Sequence, residues 1–218
     1  MKNRHRWILM LLALCSAALL TGSVAERREL AVEARVDALQ EDLAGEVFRF
    51  HVIANSDSDQ DQDQALKYQV RDQVIAYMRR SLGEEDVSLE ETKEWAGEHL
   101  REIEEVARKA LKEAGSSDRV KARVARVYFP DKRYGEIWFP QGYYEALQIR
   151  LGEARGQNWW CVLYPNLCFT GSVCGVVTEE GRQDLEEALT AEEYQMVTAA
   201  SDFKIKTFFF GDLLGEVP

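Results

Sequence analysis

Histidine is scarce in this chain of 218 residues: three in total, with only His51 and His99 beyond the first 25 positions. Two isolated histidines cannot build a zinc site unless cysteines or carboxylates are brought beside them. Cysteine is scarce as well. Four occur, none spaced as Cys-x-x-Cys, which removes the motif of a thiol oxidoreductase. No Gly-x-Ser-x-Gly is present, so the elbow that exposes a hydrolase serine is missing. Positive charge is in deficit, with 27 Lys plus Arg against 38 Asp plus Glu and a net charge of −11. That balance repels nucleic-acid phosphates and anionic lipid surfaces, so no nucleic-acid partner is expected. No internal repeat is found.

What is present begins with an export signature. Lys2, Arg4 and Arg6 precede an uncharged, mostly apolar run from Ile8 to Leu20, and Ser23-Val24-Ala25 supplies a small-residue cleavage pattern. The run is short for a membrane span, which needs about 20 residues. Residues 1–25 are therefore read as a signal peptide or N-terminal anchor, and Cys15 leaves with them. Membrane contact is expected only through this segment, if it is uncleaved. The remainder carries 24 basic against 38 acidic residues, a net charge of −14, and its length suits one domain.

The spacing of Leu30, Val32, Val36, Leu39 and Leu43 predicts a helical stalk over 26–45, followed by one domain over 46–218. Residues 47–54 alternate as a strand with Phe48, Phe50, Val52 and Ala54 on one face. Arg49 and His51 on the other face predict a strand covered on both sides. Asn55-Ser56-Asp57-Ser58 is a turn. Asp61 with Gln64 predicts a capped helix from about residue 62 to Gly83, and Ser88 with Glu91 opens a second helix running to about Ala114. Strand patterns follow at 120–129, 137–139 and 143–151, with hairpin turns at Pro130-Asp131 and Gln141-Gly142. Residues 178–200 read as helix and 203–210 as a β-like run. The expected fold is α+β, an antiparallel sheet with helices on one face and two long helices between the first and second strands.

Few residues invite chemistry. Asp57, Asp59, Asp61 and Asp63 recur every second position, but Gln62 and Tyr68 stand where a calcium loop needs Gly and Glu. A turn with helix-capping carboxylates accounts for them, and neither a metal nor a cofactor is expected. His51 beside Ser56 and Asp57 could be arranged as a hydrolase triad, yet a half-buried histidine satisfied by the turn is the plainer reading. Trp159 and Trp160 fill core, or form a protein-binding hot spot if they are exposed together. Outside the cytoplasm, Cys161 and Cys168 can form a disulfide worth roughly 2–3 kcal/mol. Cys174 is left free, or competes for Cys168.

The sequence resembles the stage II sporulation protein R family. The likeness rests on Phe50-His51-Val52-Ile53-Ala54-Asn55-Ser56-Asp57-Ser58, on Asp63-Gln64-Ala65-Leu66-Lys67 and on Val70-Arg71-Asp72. It continues through Gly142-Tyr143-Tyr144-Glu145-Ala146-Leu147 and is most specific at Gly156-Gln157-Asn158-Trp159-Trp160-Cys161-Val162-Leu163-Tyr164-Pro165. The resemblance implies a non-enzymatic signal exported into the space between forespore and mother-cell membranes. There it would activate a membrane-embedded aspartic protease that processes the precursor of sporulation sigma factor E. Expected contacts are His51, Asn55, Ser56, Asp57, Trp159 and Trp160. The alternatives are an exported cell-wall hydrolase or a structural sporulation protein.

Overall fold

The computed structural model describes residues 27, 30, 31, 34, 37–56, 60–83, 87–165 and 177–199. The export segment, Asp57, Cys168, Cys174 and the 203–210 run lie outside them. The chain divides into two compact units, Met1–Glu41 and Asp42–Pro218. The described residues of the first are helical. No helix among the described residues is long and apolar enough to cross a membrane.

The second unit opens with β1 (Phe48–Ile53), then α1 (Gln60–Leu82), α2 (Leu89–Glu98) and α3 (Leu100–Glu113). It continues through β2 (Val120–Phe129), β3 (Lys132–Tyr134), β4 (Ile137–Phe139), β5 (Gly142–Leu151) and β6 (Asn158–Tyr164), and closes with α4 (Glu179–Ala188) and α5 (Ala191–Ala199). The class is α+β. Four strands form the main sheet in the order β2-β5-β1-β6, with β3-β4 as a separate hairpin. Pairing is antiparallel for β2–β5 and β1–β6, whereas β1 runs parallel to β5. The turn at Pro130-Asp131 does not join paired strands. It leads into the inserted hairpin, and β2 pairs instead with β5 beyond it.

Central position explains β1. Phe48, Phe50 and Val52 face α1–α3 in one core with Leu66, Val70, Ile103, Ala107, Leu147 and Leu163. A second core lies on the opposite face, where Phe129, Tyr144, Ala146 and Val162 meet the β3–β4 hairpin, Leu185 and Val197. Helices thus cover both faces rather than one, because the α4–α5 pair returns to the side that α1–α3 leave open.

Local chemistry sets the helix ends. Ser88 Oγ accepts from the Glu91 amide while Glu91 Oε2 accepts from the Ser88 amide, the reciprocal capping box. Gly83 ends α1 at φ +85°, a conformation glycine adopts without strain. Asp61 lies inside α1, which begins at Gln60, so the first cap is not where the spacing places it. The second long helix is interrupted at His99 (φ −102°, ψ 19°). There the His99 Nδ1–H donates to the Trp95 carbonyl at 2.8 Å, alongside the His99 amide at 3.0 Å, and the ring stacks on Trp95 at 4.4 Å.

Replacing Ser88 by Ala removes the cap without disturbing core packing. Urea unfolding should show a loss of about 1 kcal/mol with an unchanged m-value.

Candidate functional site: a polar row through the sheet and a turn at its end

Strand register assembles residues far apart in sequence. His51 on β1 lies opposite Gln148 on β5, and Gln148 lies opposite Arg123 on β2. The Arg123 Nε–H donates to Gln148 Oε1 at 2.9 Å, which turns the Gln148 amide nitrogen toward His51. That nitrogen can only donate, so His51 Nδ1 accepts at 2.9 Å. His51 Nε2 then carries the proton and donates to Asn158 Oδ1 on β6 at 2.7 Å. One side chain from each strand completes a row across the whole sheet.

His51 is 3% exposed and stacks on Trp160 at 3.8 Å. It stands behind the surface, satisfied by Gln148 and Asn158 rather than by the turn's polar groups. Burial, assisted by the Arg123 charge, lowers its pKa from the usual 6.5 to about 4 against the opposing pull of Asn158. Both ring nitrogens are committed, and the Ser56 hydroxyl donates to Asp63 at 3.1 Å. A His51–Ser56 proton relay is therefore not assembled.

Arg49, two residues earlier on the same face, is fully buried. Its guanidinium lies 4.6, 5.0 and 4.9 Å from the ring centres of Phe129, Phe139 and Tyr144, and Nη2 donates to Tyr134 Oη at 3.5 Å. Among the described residues, Nε and Nη1 have no hydrogen-bond partner. Aromatic faces, not a carboxylate, accommodate this cation.

The turn after β1 is built against the β5–β6 connection. Asn55 Oδ1 accepts from the Glu153 amide at 2.8 Å, Asn55 Nδ2 donates to Asp118 at 3.3 Å, and the Arg155 amide donates to the Asn55 carbonyl at 2.9 Å. Glycines permit the approach: a Cβ on Gly152 would lie 2.1 Å from Asn55 Oδ1, and one on Gly156 would lie 2.6 Å from the Ser56 carbonyl oxygen. Ser56 is tied to α1, its amide donating to Asp63 at 3.0 Å. An open cleft of about 860 Å³ beside this turn is lined by Asn55, Ser56, Asp118, Arg119, Glu153 and Arg155.

Trp159 and Trp160 point to opposite faces of β6, as strand alternation requires, so they do not form one surface patch. Trp159 packs edge-on to Phe50 at 5.5 Å beneath the Arg71 guanidinium at 5.1 Å. Trp160 packs on His51 and Phe129. Both rings are half-buried. Cys161, in the core under α1–α3, is 2% exposed. The only sequence signal of Arg123 and Gln148 is a polar residue at a strand position, whereas Asn158 lies in the 156–165 block that carries the family resemblance; the meeting of the three depends on register. Among the described residues, no group of three or more His, Cys, Asp or Glu could hold a metal ion.

These features define an α+β domain with a locked polar interior and a polar turn beside an open cleft. The chain belongs to the stage II sporulation protein R family: residues 44–173 match the family described as "Stage II sporulation protein R (spore_II_R)". It is 34% identical over 158 residues to the Bacillus subtilis (strain 168) protein "Stage II sporulation protein R", covering 72% of this chain and 69% of that one. No solved structure matches. A sporulation role follows from this membership.

Two outcomes test the geometry. The unfolded chain takes up a proton on His51 as pH falls through 6.5, whereas the folded chain resists until about 4. The contribution is thus complete above pH 6.5 and lost as pH falls toward 4. By linkage, the stability of the natural chain should fall about 2–3 kcal/mol more than that of His51→Gln between pH 7.5 and 4.5 in urea titrations. Gly152→Ala, at φ +54°, should expel the Asn55 side chain and lower Tm, with faster hydrogen exchange of the Glu153 amide.

Proposed function

We propose that this protein is an exported sporulation signal that activates a membrane-embedded aspartic protease, which in turn processes the precursor of sporulation sigma factor E. The observation that carries the reading is the family membership, whose match includes both the Asn55–Ser56 turn and β6. In this reading the protein acts in the space between forespore and mother-cell membranes, reached through the 1–25 segment. Activation requires that it bind the active arrangement of the protease more tightly than the inactive one. The turn, with Asn55, Ser56 and the neighbouring Asp57, and the exposed parts of Trp159 and Trp160 are the proposed contacts. His51 supports them from beneath.

The cell-wall hydrolase alternative loses its only histidine base, because both His51 nitrogens serve the polar row. In the same reading we assign a disulfide between Cys161 and Cys168, which an oxidising compartment would sustain. A purely structural sporulation role predicts that deleting the gene leaves sigma-precursor processing intact.

The exported protein, added to vesicles carrying the protease and its substrate, should trigger precursor cleavage. Absence of cleavage, with the protease shown to be competent, overturns the reading. Trp159→Ala and Asp57→Asn, each checked for folding and export, should reduce cleavage by roughly tenfold, the scale of a lost interface hot spot. Unchanged cleavage in both removes the turn and β6 from the interface.

A further inference from the structure

Among the described residues, the sheet face opposite α1–α3 is covered at only one end. The hairpin, α4 and α5 bury the rows containing Arg49, Ala146, Val162 and Phe129. Toward the other end, two cross-strand rows emerge. One holds Arg123, Gln148, His51 and Trp160, and the next holds Lys121, Arg150, Ile53 and Asn158. Arg123, Lys121, Arg150 and Asn158 are exposed, and Arg119 extends the stripe at strand spacing. Arg119 to Arg123 spans about 13 Å at the rise of a strand.

This stripe is positive on a chain whose net charge is −11. Lys121 lies directly opposite Arg150, a like-charge pairing that costs stability. Little offsets it: Lys121 reaches Glu104 only at 3.9 Å, and no carboxylate among the described residues stands within ion-pair distance of Arg119, Arg123 or Arg150. Arg123 is also pre-oriented, since Gln148 holds its Nε and is itself held by the buried His51. A guanidinium fixed in this way loses less freedom when it meets a carboxylate.

We infer that this basic sheet face, formed by Arg119, Lys121, Arg123 and Arg150, docks an acidic segment of a partner protein. The inference rests on the signalling reading in naming the protease as the bearer of that segment. Charge complementarity selects the occupant. A membrane or nucleic acid presents a broad negative field that meets the acidic bulk of the chain, whereas a short acidic segment can lie along the four cations and avoid most of that bulk. Docking is through side chains on the face, not by strand addition at the edge. The outward amide of Ala122 on edge strand β2 already donates to Glu104 Oε1 at 3.0 Å.

The full chain is compared with Lys121→Glu/Arg123→Glu/Arg150→Glu and with a control of equal charge, Arg101→Glu/Lys109→Glu/Lys112→Glu, on the exposed side of α3. Lys121→Glu/Arg150→Glu, which leaves the polar row whole, guards against misfolding. An octa-glutamate peptide should bind the natural chain and the control, and both face variants should bind roughly tenfold more weakly or worse. Equal binding to the face variants and the control overturns the proposal, as does anionic-vesicle binding that is lost with the face. In the cleavage assay, face variants should lose triggering that the control keeps. Peptide binding confined to the face with triggering unchanged overturns the assignment to the protease. A natural chain that binds the peptide but triggers nothing overturns the signalling reading, and with it the protease as the bearer.

Discussion

The structure depends on one constraint: β1 is hydrogen-bonded on both edges and buried on both faces, yet it carries Arg49 and His51. A polar group removed from water must find partners or lose several kcal/mol. The domain solves this twice. His51 is satisfied by amides from the flanking strands, and Arg49 is enclosed by the faces of Phe129, Phe139 and Tyr144. The first requires both β5 and β6 to be in register with β1 and the second requires β5, so the polar residues specify the pairing as well as occupying it.

That constraint links interior to surface. Arg123 orients Gln148, Gln148 orients the His51 tautomer, and His51 holds Asn158 at the far edge. Reversing any amide would set donor against donor. The surface cation and the edge amide are thereby fixed through the core rather than left to solvent. Such rigidity fits the proposed signalling role, in which only contacts that differ between two receptor states would shift their equilibrium.

The turn after β1 follows the same logic on a smaller scale. Asn55 crosses to the β5–β6 connection, where Gly152 and Gly156 leave room for it, and Ser56 crosses to α1 through Asp63. Three parts of the chain meet at one point, and the cleft opens beside it. The two tryptophans of β6 contribute to separate cores, so their adjacency in sequence reflects a strand embedded between two layers.

Much was legible in the residues alone. Alternation placed β1, β2, β4 and β5 nearly to the residue, and the Ser88 cap and Gly83 stop were readable because they are local chemistry. Covering of β1 on both faces also followed from its mixed pattern. Three things were decided only by tertiary structure: the parallel β1–β5 pairing, the return of α4–α5 to the second face, and the meeting of Arg123, Gln148, His51 and Asn158. Local propensity reports which face of an element is apolar. It does not report which strand will lie alongside, since a partner some hundred positions away is chosen by the packing of the whole core.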